Sequence, residues 1–162
     1  SSAASDVYKR QGRIRVLVIN LMGTVYLENL RCPFEMLAAI LEKPDLPKIR
    51  MLDFHAAATG EKRAMAFYAD GRISALFGTH THVPTADEGI LPKGTGYISD
   101  LGMTGVIDSA LGVKPELVIQ KFRTKMPVRF ENAKGKCKMD GALFTIDEGT
   151  GLCTNVERIS IR

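Results

Sequence analysis

Three short apolar runs separated by two segments of helical period constrain this chain more than any other feature. Arg15-Val16-Leu17-Val18-Ile19-Asn20 is near-continuous and β-branched, the pattern of a strand buried on both faces. Residues 34–43 place Phe34, Leu37, Ala38 and Leu41 on one helical face, with Pro33 suited to the first turn and Pro44 and Pro47 as stops. Residues 48–54 read as a second strand. Residues 59–69 read as a second helix, with Thr59 as N-cap, Glu61 in the first turn and Gly71 ending it. Residues 73–77 read as a third strand. Strand, helix, strand, helix, strand is the signature of a layered α/β sheet. Further on, the spacing predicts a short strand within 94–100, a turn at 101–105 and a helix over 115–125 begun by Pro115. Strands follow over 127–131, 136–147 and 152–161, the last two joined by the loop Glu148-Gly149-Thr150-Gly151.

The chain has three histidines, and each follows an apolar run. His55 ends Ile49-Arg50-Met51-Leu52-Asp53-Phe54, while His80 and His82 follow Ile73 to Phe77 through Gly78-Thr79. In an extended segment, residues two apart point to the same side, so His80 and His82 would present their rings to one small volume. In open α/β sheets the carboxyl ends of strands are where ligands bind. A single strand-end histidine is most often a hydrogen-bonded structural residue. Three converging imidazoles suit a divalent metal, without choosing among zinc, iron and manganese.

Charge and cysteine usage set the outer limits. Residues 1–15 hold Lys9, Arg10, Arg13 and Arg15 against Asp6, so nearly all of the net charge of +4 lies there and no DNA partner is expected. A local basic run from Lys121 to Lys138 reads as a solvated helix face and hairpin. Cys32, Cys137 and Cys153 are odd in number and widely spaced, which suits reduced thiols and a cytoplasmic location. Cys137 and Cys153 could face each other across the terminal hairpin as small apolar fillers. No run approaches a membrane span. Residues 1–11 lack clean periodicity and read as a non-native, adaptor-like leader, with residues 12–162 as the structural part.

Taken together, several motifs carry a resemblance. Asp53-Phe54-His55-Ala56 with Glu61-Lys62, Tyr68-Ala69-Asp70-Gly71-Arg72, Gly78-Thr79-His80-Thr81-His82-Val83 with Thr85-Ala86-Asp87, Ile90-Leu91-Pro92-Lys93-Gly94-Thr95 and Asp100-Leu101-Gly102-Met103-Thr104-Gly105 stand in unbroken order. Asn20-Leu21-Met22-Gly23, Cys32-Pro33-Phe34 and Pro127-Val128-Arg129-Phe130 add to them. The chain resembles the C-terminal half of the bacterial YmdB-like metallophosphoesterases. The resemblance implies a calcineurin-like α/β/β/α sandwich whose N-terminal part is missing, residues 12–162 being the C-terminal portion of one domain. It implies hydrolysis of phosphodiester bonds, with 2′,3′-cyclic nucleotides as the substrate class, by a hydroxide activated at two divalent or trivalent ions, iron and/or manganese. Carried over by position, His55 and His80 would bind one metal and His82 the other. By their place near the rim, Asp53 and Asp100 would either orient the ligand histidines from behind or make local backbone contacts, Thr81 would stand between His80 and His82 facing away from the metal, and the full-length protein would be a homo-oligomer.

The family's N-terminal half supplies an early Asp, a bridging Glu with a neighbouring Asn, and an Asn-His pair whose His protonates the leaving oxygen. None of these has a counterpart here, so no general acid is assigned and the chain alone is expected to be inactive. Gly60, Thr24 and Pro84 also depart from the family's usual Ser, Arg and Gln. Two rival classes stand beside this expectation. An amidohydrolase also uses His-x-His at a strand end but needs a full barrel, against which the terminal hairpin argues. A non-catalytic assembly or RNA-binding module would use the basic run as its surface.

Overall fold

The computed structural model describes residues 7–11, 14–28 and 30–162. Its larger sheet has six strands in the order β1-β2-β3-β4-β6-β5, formed by β1 (Val7–Gln11), β2 (Ile14–Met22), β3 (Ile49–His55), β4 (Ala75–Thr79), β6 (Gly96–Ile98) and β5 (Gly89–Ile90). β2, β3, β4 and β6 run parallel, while β1 and β5 are antiparallel to their neighbours at the two edges. The second sheet is antiparallel, with β7 (Thr104–Val106), β8 (Cys137–Ile146) and β9 (Cys153–Ile161) in that order. This is the mixed α/β architecture that the alternating runs predict.

Strand periodicity explains the core. Leu17, Ile19 and Leu21 of β2, Leu52 and Phe54 of β3 and Leu76 of β4 share one face of the sheet and are buried. Leu37 and Ile40 of helix α1 (Pro33–Leu41) and Met65, Ala66 and Ala69 of helix α2 (Thr59–Ala69) complete the cluster. On the opposite face the second sheet approaches β4 and β6, where the rings of Phe77 and Phe144 lie 6.3 Å apart and Gly96 leaves room for Cys153 and Phe144. Val16 and Val18 are only half-buried, which corrects the expectation of a strand covered on both sides. The second sheet packs on the far end of the larger sheet, through β9 against β5 and β6.

Other boundaries move for identifiable reasons. At the edge of the larger sheet, Val7–Gln11 pairs with β2 along its whole length. Thr59 is the first helical residue of α2, and Ala58, not Thr59, occupies the N-cap position without a side-chain cap. Residues 127–131 are not a strand. The bridge Val113↔Asn132, the Lys114 N–H donating to the Glu131 carbonyl and Lys121 Nζ over the Phe130 ring tie this segment to the rest. The third apolar run forms its strand two residues later than its hydrophobicity suggests, so Gly78 and Thr79 belong to β4. Cys137 and Cys153 do not face each other: Cys137 pairs with Val106 and Cys153 with Ile146, at opposite ends of β8, and both are free thiols. Helix α3 (Pro115–Thr124) has no buried residue and carries Lys121 and Arg123 of the basic run outward. Among the described residues no helix is long and apolar enough to cross a membrane.

Because four central strands are parallel, their carboxyl ends form one rim. Met22, His55 and Thr79 stand side by side in register, and Gly23 N–H donates to the His55 carbonyl at 2.9 Å. The turns after β2, β3, β4 and β6 therefore meet there.

Candidate functional site

Alternation along β3 puts Asp53 and His55 on the face opposite Leu52 and Phe54. Asp53 accepts a hydrogen bond at each oxygen, from Asn20 Nδ2 at 2.8 Å and from Thr79 Oγ1 at 3.0 Å. Thr79 Oγ1 lies in turn 3.1 Å from His55 Nδ1. His55 Nε2 faces His80 Nδ1 at 3.2 Å, with the two rings edge to face at 82° and centroids 5.0 Å apart. A line of polar contacts thus runs from β2 through β3 and β4 to the first residue beyond β4. Burial pushes the His55 imidazole below its ordinary pKa, and the neighbouring His80 acts in the same direction. A neutral ring with a lone pair is the form that binds metals.

The pair fits a metal ion in part. Two imidazole nitrogens at about 2.0–2.1 Å from one ion, separated by an octahedral or tetrahedral angle, lie roughly 2.9–3.4 Å apart. The observed 3.2 Å falls within that range. His82 does not join the pair. His80 and His82 have φ of 132° and 64°, so residues 80–83 bend, and the rule for an extended segment does not operate. His82 is exposed, and no group of three His, Cys, Asp or Glu side chains among the described residues is placed to hold an ion.

The bend is held from beneath by Asp100. Its Oδ2 accepts from Thr81 N–H at 2.9 Å and from Lys62 Nζ at 3.0 Å, and its Oδ1 accepts from Gly102 N–H at 3.0 Å. Burial raises the Asp100 pKa, but the two backbone donors and Lys62 outweigh it and leave the carboxyl below its ordinary value. The Thr81 hydroxyl also donates to the Val83 carbonyl at 3.2 Å. Gly78 allows this closeness. A Cβ there would lie 1.8 Å from the Ser99 carbonyl oxygen and 2.9 Å from Lys62 Cδ.

Two residues that the sequence offers only as helix or motif positions also support the rim. Lys62 is buried on the same α2 face as Met65, Ala66 and Ala69, and that i, i+3, i+4, i+7 spacing was the available signal. Glu61 accepts from the N–H groups of Thr24 and Val25 at 2.8 and 3.3 Å and so closes the turn after β2. Beside His55 a cleft of about 470 Å³ opens between that turn and α1, with Met22, Leu30 and Met36 as apolar walls and Asn20 and Arg31 as polar ones.

The fold and the rim define an α/β protein that presents paired histidines at the carboxyl ends of parallel strands. The chain belongs to the YmdB-like protein family, whose sequence profile matches residues 3–159. It is 46% identical over 158 residues to a 2′,3′-cyclic-nucleotide 2′-phosphodiesterase of Bacillus subtilis (strain 168), covering 95% of this chain and 59% of that protein. It is 36% identical over 152 residues to a putative phosphatase/phosphodiesterase of Mycoplasma pneumoniae, covering 92% of this chain and 54% of that protein. The crystal structure of a hypothetical protein from Thermus thermophilus superposes with a TM-score of 0.90 at 35% identity, over 96% of this chain and 60% of the other. A phosphatase of Mycoplasma pneumoniae superposes at 0.88 with 34% identity, over 96% and 56%. The chain thus spans little more than half the length of these relatives.

Proposed function

We propose that this chain supplies part of the metal site of a phosphodiesterase acting on 2′,3′-cyclic nucleotides, within a calcineurin-like sandwich. The observation that carries the reading is the 3.2 Å approach of His55 Nε2 and His80 Nδ1 at the end of two adjacent parallel strands. These two rings would hold one ion, iron or manganese, and His82 would contribute to a second. When bound, such ions polarise the phosphoryl oxygens and lower the pKa of the attacking water. The chain's own residues prepare that site. Asp53 and Thr79 orient His55, Asp100 and Lys62 hold the bend carrying His80, and the cleft beside His55 has room for the organic part of a nucleotide. Since only two imidazoles converge among the described residues, the chain by itself binds metal incompletely and turns over little substrate.

The test is a chimera in which this chain replaces the matching part of the Bacillus subtilis relative. Hydrolysis of bis-p-nitrophenyl phosphate and 2′,3′-cyclic AMP is followed with and without manganese. Manganese-dependent turnover in the chimera, absent from the isolated chain and lost on His55→Ala or His80→Ala, is the expected result. Turnover indifferent to both histidines would overturn the proposal.

A further inference from the structure

The protons on the rim can be assigned by counting donors. A threonine hydroxyl has one proton, and that of Thr79 goes to Asp53 Oδ1 at 3.0 Å, because a carboxylate oxygen can only accept. Toward His55 Nδ1, 3.1 Å away, Thr79 Oγ1 can then only accept. A neutral imidazole carries one N–H, so the proton sits on Nδ1 and the lone pair on Nε2. Nε2 is the atom that faces His80. The register makes this possible: His55 and Thr79 are direct partners across β3 and β4, and Asp53 lies two residues before His55 on the same face.

We propose that Thr79 is a positioning residue that, by giving its only proton to Asp53, locks His55 in the Nδ1–H tautomer with its Nε2 lone pair aimed at the point shared with His80. The inference rests on reading that pair as a cation site, but the tautomer itself is a property of the protein without metal. The alternative tautomer would place an N–H where the ion binds, and restoring the lone pair would require breaking the Thr79 contact. An outer partner of this kind typically changes metal affinity by about 10–100-fold.

The experiment uses the whole chain labelled with nitrogen-15, without metal, at a pH where the imidazoles are neutral. Two-bond nitrogen–proton correlations then report which ring nitrogen carries the proton. Expected is a single Nδ1–H tautomer for His55, a mixture or the Nε2–H form in Thr79→Val, and the original form in Thr79→Ser. Zinc, whose closed shell leaves the spectra readable, should bind Thr79→Val about 10–100-fold more weakly than wild type and Thr79→Ser like wild type. A wild-type His55 carrying its proton on Nε2 would overturn the proposal without any variant. So would an unchanged His55 tautomer and unchanged zinc affinity in Thr79→Val. If the tautomers respond as expected but no variant binds zinc, the Thr79 lock stands and the metal reading fails. If zinc binds at the histidine pair while the tautomer ignores Thr79, the reverse holds.

Discussion

Lys62 Nζ lies 3.0 Å from Asp100 Oδ2 with both side chains sealed from solvent, 2% and 1% exposed. Removing one partner of such a pair leaves a buried charge uncompensated and typically costs about 3–5 kcal/mol. Lys62→Met is therefore expected to lower stability by about 3 kcal/mol, with the two backbone donors to Asp100 limiting the loss. Urea denaturation measures it, and the double variant Lys62→Met/Asp100→Leu should recover part of the stability. A Lys62→Met protein as stable as wild type would contradict the assignment.

The same carboxylate gives a pH dependence whose sign is set. Asp100 is below its ordinary pKa in the folded state, so its contribution is complete above the unfolded value of about 3.9 and is lost as pH falls through the lower folded value. Wild-type stability should fall more steeply below about pH 4 than that of Asp100→Asn, as read from urea midpoints at matched ionic strength.

His55 acts in the same direction at higher pH. Its folded pKa lies below the unfolded value of about 6.5, so the unfolded chain takes up its proton first as pH drops. The contribution of this group is complete above that value and declines as pH falls through it toward the lower folded pKa. Between about pH 8 and pH 5 the wild-type urea midpoint should decrease, and His55→Asn should show a shallower decrease.

Two glycines on neighbouring elements should behave oppositely. A Cβ on Gly78 would meet the Ser99 carbonyl oxygen at 1.8 Å, backbone that cannot yield without parting β4 from the turn after β6. Gly78→Ala is expected to cost about 3 kcal/mol or more, at the upper end for overpacking. Gly60 in α2 has nothing within 4 Å of its Cβ position. Gly60→Ala should gain up to about 1 kcal/mol, the usual helix preference for alanine over glycine. Thermal unfolding of both distinguishes the sites in one experiment.

Metal binding should separate the three histidines. His55→Ala and His80→Ala are expected to weaken zinc binding by more than about a hundredfold, beyond the effect of an outer partner. His82→Ala should leave the first binding event nearly unchanged, because His82 stands apart from the pair. Calorimetric titration checks all three. Equal losses at the three positions would mean that the bend at residues 80–83 rearranges on binding.

What the sequence determined by itself was local and periodic. The apolar runs at 15–20, 48–54 and 73–77 and the helical stripes of α1 and α2 were legible because each follows from neighbouring side chains sharing a face. His55 and His80 were legible as rim residues for the same reason, each standing just after an apolar run. The tertiary structure alone decided which groups meet. The left-handed backbone at His82 and the positive φ at His80 invert the local rule that paired them, and the bend holding them depends on Asp100, 19 residues beyond Thr81. Lys62 and Asp100 are 38 residues apart, and Thr79 reaches Asp53 across 26. No periodicity encodes contacts at those separations. They exist because parallel strands bring their carboxyl ends into register, where buried polar groups must find partners or be excluded.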